Sequence, residues 1–292
     1  MIEESKKHFN LKKAVIFIII AAISFSSMAL FAKLLSNRAN IDIIILFRFG
    51  ISFLFALILL GLRKIQKKDI SLKTNHIRLH LIRAVLGLIV IGCLFLSLKY
   101  IPLVDANLFL MTSALFIPVI GVLFLHFKTD FKHWLAVFIG FIGVAFILKP
   151  GHEIFNPISL VALLAGFILA IVMIILRRLS KYDKHYVIMF YNFLFISIIS
   201  GLIAIFTWQK LDFHTLILLL AVGFFGTFYQ YFLVKAAAFA PAKITTSLLY
   251  SSLIFSMIFD WFFFKNIPNV FSWIGIFLVC FSSILTIFAA KR

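Results

Sequence analysis

The chain reads as an all-α polytopic membrane protein, ten transmembrane helices arranged as two inverted five-helix repeats. Three observations predict this. Hydrophobic residues make up 64% of the 292 positions and charged residues only 13%, with 38 phenylalanines and a mean hydropathy of +1.15. Globular domains sit near 45–50% apolar and about 25% charged. The apolar residues fall in long unbroken runs rather than alternating, which selects helices over barrel strands. The two halves of the chain also resemble each other at a fixed offset.

A membrane helix needs about 20 mostly apolar residues to cross roughly 30 Å of hydrocarbon. Runs bounded by charges, Pro, Gly or Asn give spans at 14–35, 41–62, 79–99, 103–125, 131–149, 157–177, 186–208, 214–235, 242–264 and 270–290. The breaks "KYIPLVD", "KPGHEIFNP" and "KNIPN" carry the prolines and polar residues of tight connections. The first run is too long for a cleavable signal peptide, and nine more follow it. Orientation follows from the 28 Lys and Arg. With the N-terminus in the cytoplasm, 21 fall on the inner side, including Arg63, Arg83 and Lys235. Six fall outside, including Lys33 and Lys99, and Arg48 is left within a span. This positive-inside bias puts both termini in the cytoplasm. The net charge of +18 would suggest nucleic acid in a soluble protein. Here it sets topology and meets anionic lipid, and no nucleic-acid partner is expected.

Shifted by 139 residues, the halves align without gaps: Pro102 meets Pro241, Ser113 meets Ser252, and Trp134 meets Trp273. This divides the chain into repeats at 1–149 and 150–292. Five spans is an odd number, so the second copy enters the membrane from the opposite face. An inverted repeat gives one central site and two similar gates, the logic of alternating access.

Ten spans, an Arg in the second, Pro118 in the fourth and "GFIGVAFILKPG" closing the fifth resemble the EamA-type drug/metabolite transporter family. The resemblance covers essentially the whole chain, and its most specific piece is Gly140 and Gly143 running into Lys149-Pro150-Gly151. It implies a ten-helix carrier of small metabolites in a bacterial inner membrane. Many relatives carry a Glu just after the fourth and ninth spans; this chain has "LHFK" and "FKNI" there.

Polar groups inside a bilayer are expensive, so each one needs an account. Arg48 lies seven residues into its span, about 10 Å deep at 1.5 Å per residue. Facing lipid it would cost about 2.5–3.5 kcal/mol, so it faces protein or water. Two of the ten acids, Asp105 and Asp260, lie on the same outer side; a pair with either would neutralise it. Arg48 is thus a staple or a contact for an anionic substrate group, and Asp260 and Asp105 are counter-ions or coupling sites. Asn107 and Met111 lie one turn apart on the fourth span, as do their repeat equivalents Thr246 and Tyr250 on the ninth. Met111 and Tyr250 approach the midplane, where inverted-repeat carriers bind. Asn192, Tyr229, Gln230, Ser24 and Ser27 complete the candidate substrate contacts; each serves equally as an interhelical hydrogen bond of about 0.6 kcal/mol.

The remaining features are structural. Trp134, Trp208, Trp261 and Trp273 sit near span ends as interface anchors. Cys93 and Cys280 lie inside spans as apolar filler, with no metal spacing. No "GxxxxGK" loop, HExxH or acid ring is present, so no cofactor, no enzymatic activity and no ATP-driven or channel mechanism is expected. A gradient-driven or facilitative carrier remains, working as a monomer or a homodimer. Its expected substrate is an amino acid or an S-adenosylmethionine-like metabolite. The alternative within the superfamily is a flippase or efflux protein for lipid-linked or lipophilic compounds.

Overall fold

The computed structural model describes residues 11–66, 71–125, 131–148, 157–180, 182–239, 251–266 and 270–289. Among these residues every regular element is helical. In chain order they are α1 (Leu11–Leu35), α2 (Ile41–Ile65), α3 (Ile77–Tyr100), α4 (Leu103–Met111), α5 (Ser113–Leu125) and α6 (Phe131–Leu148). The second half gives α7 (Pro157–Leu179), α8 (His185–Thr207), α9 (Phe213–Phe239), α10 (Ser251–Phe264) and α11 (Val270–Ala289). Seven helical stretches among the described residues are long and apolar enough to cross a membrane. Of the expected ninth span only α10 is described, so Thr246 and Tyr250 lie outside the described residues.

The fourth span is two helices rather than the single one expected over 103–125. At Thr112 the hydroxyl donates to the Phe109 carbonyl at 2.5 Å, and the Thr112 amide is shared between Leu108 and Phe109. A side chain that bonds back to its own turn competes with the regular ladder and bends it. α7 packs into the break through Gly166, where a Cβ would meet Thr112 Oγ1 at 2.6 Å. Met111, the last residue of α4, therefore sits beside a discontinuity in the middle of its span.

The packing repeats when the halves are exchanged. α1 lies on α9 and α7 on α3; α2 touches α9 as α8 touches α3; α1 meets α10 as α7 meets α4 and α5. The self-matching pairs, α2 with α8, α6 with α11 and α4 with α10, are also in contact. Equivalent helices run in opposite directions. Along α2 and α8, Asn40 bonds the Thr207 carbonyl, Phe49 faces Phe193, Phe53 faces Phe190, and Arg63 lies over Tyr186. Gly140 and Phe146 of α6 likewise meet Ser282 and Phe271 of α11 in reverse order. Antiparallel packing of equivalent helices is what an inverted repeat requires.

Aromatic rings hold α1 to α9: Phe17 on Phe232 at 5.9 Å, Phe25 on Tyr229 at 5.0 Å and Phe31 on Phe225 at 5.5 Å. In lipid, burying apolar rings gains nothing from water release, so close packing must do the holding. Gly223 and Gly226 let α9 approach α2. A Cβ at 223 would sit 2.8 Å from the Phe47 carbonyl oxygen and 2.9 Å from Ile51 Cβ, both fixed to the α2 backbone. Gly50 and Gly61 have open space at the same position. Gly223→Ala should therefore lower stability by about 1–3 kcal/mol through overpacking. Gly61→Ala should leave it unchanged or raise it by up to about 1 kcal/mol, the helix-propensity gain. Thermal unfolding of the purified variants in detergent checks the opposite signs.

A buried polar seam as the candidate functional site

α1 carries the seam. Ser24, Ser26 and Ser27 are buried on it, with Met28 one turn on and Lys33 near its end. Small hydroxyl residues suit this helix because they allow close approach and still present a hydrogen-bonding group. Ser26 Oγ donates to the Ser252 carbonyl of α10 at 2.7 Å and lies 3.1 Å from Ser256 Oγ. Asn107 of α4, fully buried, donates from Nδ2 to the same Ser256 Oγ at 2.6 Å. Its Oδ1 is a buried acceptor with no hydrogen-bond partner. Met111 Sδ lies 4.0 Å from Ser252 Oγ. Asn107 and Met111 thus share a face, as their spacing predicts, and that face meets α1 and α10.

Arg48 occupies the next stretch of the seam. It is 3% exposed. Nη1 donates to Ser52 Oγ at 2.9 Å, Nε to Met28 Sδ at 3.0 Å, and the guanidinium lies 4.7 Å over the Phe49 ring. Ser52 Oγ is 2.8 Å from Thr227 Oγ1 on α9, which donates on to the Gly223 carbonyl. Gly226 completes the seat, since a Cβ there would lie 2.6 Å from Arg48 Cζ. Tyr229, half-buried one turn further, is within electrostatic reach of the guanidinium. Asn192 stands apart from this cluster, on α8 opposite Gly87 of α3. Gln230 is half-buried on α9.

The expected pairing of Arg48 with Asp260 or Asp105 is not what the structure shows. Asp260, fully buried on α10, takes Lys33 instead: Nζ to Oδ1 is 3.3 Å, while Oδ2 accepts the Val104 amide at 2.8 Å. Lys33 Nζ also donates to the Ile101 carbonyl at 3.0 Å and lies 4.6 Å over the Phe264 ring. Asp105 is within electrostatic reach of the same ammonium. The reason is positional. Lys33 and the α3–α4 junction share one end of the bundle with Asp260, whereas Arg48 lies deeper, among α1, α2 and α9. Lys33 is consequently an interior group that ties α1, α4 and α10 together, not the surface cation that its place at a span end suggests. Arg83 departs in the same way. It is 8% exposed on α3, with Nε and Nη1 lacking hydrogen-bond partners. Among the described residues, no carboxylate lies within ion-pair distance of Arg48 or Arg83.

Sequence reasoning missed Lys33, Ser26, Ser52, Thr227 and Ser256. Ser52 carried a usable signal, standing four residues after Arg48 on the same helical face. The others depend on which helices meet, and no local pattern holds that.

Two cavities flank the α2–α8 pair. One, about 350 Å³, opens at the end carrying Arg63 and Lys235 and is lined by the end of α2, the start of α8 and the later half of α9. The other, about 420 Å³, lies at the opposite end between the start of α2, the end of α3 and Thr207. Exchange of the halves turns one set of helix ends into the other. The first cavity reaches Thr227, Ala56 and Phe193, and Thr227 is the hydroxyl bonded to Ser52 beside Arg48.

A duplicated antiparallel helical bundle with a buried polar seam and a cavity at each end defines a polytopic membrane protein of the transporter class. The chain belongs to the EamA-like transporter family, which matches residues 12–149 and again 156–288. It is 26% identical over 274 residues to an S-adenosylmethionine uptake transporter of Rickettsia conorii, covering 94% of this chain and 92% of that one. It is 30% identical over 214 residues to a riboflavin transporter of Vibrio cholerae, covering 73% and 72%. A pseudopaline exporter of Pseudomonas aeruginosa is 25% identical, over 89% of this chain and 90% of its own. A solved crystal structure superposes with a TM-score of 0.65 at 17% identity, covering 96% of this chain and 98% of the other, and so shares its fold.

The Lys33–Asp260 pair makes a prediction that the Arg48 cluster does not. Asp260→Asn leaves a buried ammonium without its counter-charge and should destabilise the protein by about 3–5 kcal/mol. Adding Lys33→Met should restore most of that loss. Adding Arg48→Ala instead should restore none, because Arg48 does not touch Asp260. Denaturation of the three variants in detergent separates the outcomes.

Proposed function

We propose that the protein is a secondary carrier that moves a small, carboxylate-bearing metabolite across the bacterial inner membrane by alternating access. An amino acid or an S-adenosylmethionine-like compound fits this description. The observation that carries the proposal is Arg48: a buried guanidinium with hydroxyl, thioether and ring contacts but no carboxylate among the described residues, one hydroxyl away from a cavity. A buried cation without a counter-ion is unfavourable, and an anionic substrate group supplies what the fold withholds. The substrate's cationic end has a partner in the acids around Lys33. Residues 28 and 33 of α1 mark the two centres, about 7.5 Å apart along the helix axis at 1.5 Å per residue. Asn107, with its free acceptor, and Met111, at the helix break, lie on the seam that links them.

In this reading Arg48, Asn107, Met111 and Tyr229 contact the substrate, joined by Asn192, Thr246 and Tyr250 as the halves alternate. Asp260 and Asp105 are counter-ions whose hold on Lys33 changes as that end opens. The repeats, 1–149 and 150–292, supply the two gates, and the cavity pair at opposite ends of α2 and α8 is their structural counterpart. Both termini lie in the cytoplasm, which makes the Arg63–Lys235 end the inner one. The relatives' names, S-adenosylmethionine uptake among them, support a soluble metabolite. No catalytic role or cofactor is part of the proposal.

The test is uptake by a transport-deficient strain against a panel of labelled metabolites, with Arg48→Gln as the control. The wild-type chain should accumulate a carboxylate-bearing compound. Arg48→Gln should remain folded and lose about ten- to a hundredfold in apparent affinity, the worth of one charge-assisted contact of roughly 1.5–3 kcal/mol. Equal uptake by Arg48→Gln, or transport confined to compounds without an anionic group, contradicts the reading.

A further inference from the structure

The cavity at the Arg63–Lys235 end has a lining unlike its repeat-related partner. Among the described residues its basic groups are Arg63, Lys235 and His185, and no carboxylate lines it. The opposite cavity contains both Asp42 and Lys99, and Asp42 is already engaged by the Thr207 hydroxyl. The pseudo-symmetry of the helices is therefore not carried into charge. Among the described residues one cavity is lined by positive groups without a carboxylate, and the other by charges of both signs.

The two strongest cations of this cavity rest on rings rather than acids. The Arg63 guanidinium lies 5.0 Å over Tyr186, and the Lys235 ammonium lies 4.7 Å over Tyr231, with Phe17 at 5.9 Å. Tyr186 and Tyr231 both line the cavity. A cation–π contact at an open site is weaker than a charge-assisted hydrogen bond, so an arriving anion takes these groups without breaking a stronger bond. Beyond them the wall turns apolar through Phe55, Leu59, Met189 and Phe193, before ending at Thr227. The order from mouth to floor is charge, ring, apolar wall, hydroxyl.

We propose that this cavity is a docking site for an anionic oxygen group, carboxylate or phosphate, carried on a ring-bearing or apolar small molecule. Arg63 and Lys235 are its charged contacts, and the docked molecule is the transported metabolite on its way between Arg48 and the inner side. That this molecule is the transported metabolite rests on the carrier reading. Arg63 and Arg48 are 15 residues apart on α2, about 22 Å at 1.5 Å per residue, so one anionic group cannot touch both. They are successive stations, with the buried arginine holding the anion and the pair at the mouth of the inner cavity receiving it.

Pyridoxal 5′-phosphate is a suitable probe, because its phosphate needs an anion site and its aldehyde condenses with a nearby lysine amine, losing water. Borohydride then supplies the hydride that reduces the imine to a stable amine. The full chain in phosphatidylcholine nanodiscs is labelled with pyridoxal phosphate or with pyridoxal, and the modified lysines are mapped by mass spectrometry. Lys235 should be labelled about tenfold faster by the phosphorylated form, as one charge-assisted contact allows, while exposed Lys64 shows no comparable preference. Arg63→Gln should abolish the preference at Lys235, and Arg63→Lys should keep part of it. Nanodiscs with added phosphatidylglycerol should give the same labelling. Suppression by that lipid would assign the site to a lipid headgroup and overturn metabolite docking. A preference that survives Arg63→Gln, or that Lys64 shares, would overturn the site itself. Labelling requires no transport, so a failure here is distinct from a failure of the uptake test.

Discussion

A buried guanidinium, with no carboxylate within ion-pair distance among the described residues, is the constraint around which this protein is arranged. Arg48 cannot face lipid, so α2 must turn it inward. It needs room, which Gly226 of α9 provides by having no side chain. It needs acceptors, which Ser52, Met28 and the Phe49 ring provide in part. These contacts satisfy donors and leave the charge. The packing of α1, α2 and α9 follows from that incomplete solution, and so does the placing of hydroxyls between Arg48 and the nearest cavity.

The Lys33 centre solves the same problem in the other way. There the cation meets Asp260 directly, and the carboxylate's second oxygen takes a backbone amide. A buried pair of this kind adds little net stability over apolar packing, yet removing one partner is severe. In the proposed carrier cycle it is the latch, holding fully or released as a unit. A carrier built from inverted repeats needs one end closed while the other is open. The latch lies at the end away from the Arg63–Lys235 cavity, and the break at Thr112 gives α4 and α5 a joint beside it.

The fold was legible because membrane burial leaves few choices. Apolar runs mark the spans, charges mark their ends, and Pro102, Pro241, Trp134 and Trp273 mark the repeat at boundary positions, where chance matches are rare. Antiparallel packing of α2 on α8 is what that count requires. The candidate site was legible only where a single residue betrays its own environment. Arg48 does so, being charged in the middle of an apolar run. Asn107 and Met111 do so through helical spacing. Lys33 does not, since a lysine at a span end reads as a surface anchor unless its neighbours are known. Arg83, too, reads as a cation at the inner end of its span, and its burial comes from the packing of α3. The kink at Thr112 depends on a hydroxyl and on a glycine from another helix, and neither distinguishes itself in a run of apolar residues.

In the proposed carrier the substrate completes the charge that the fold leaves open, and a carboxylate built into the protein beside Arg48 supplies that charge instead. Ser52→Asp puts a carboxylate on the residue that already receives the Arg48 hydrogen bond. The account predicts a rise in the thermal unfolding temperature of the purified protein together with loss of uptake, because the guanidinium is then neutralised and has no need of a substrate anion. Unchanged or lower stability with uptake retained would contradict it.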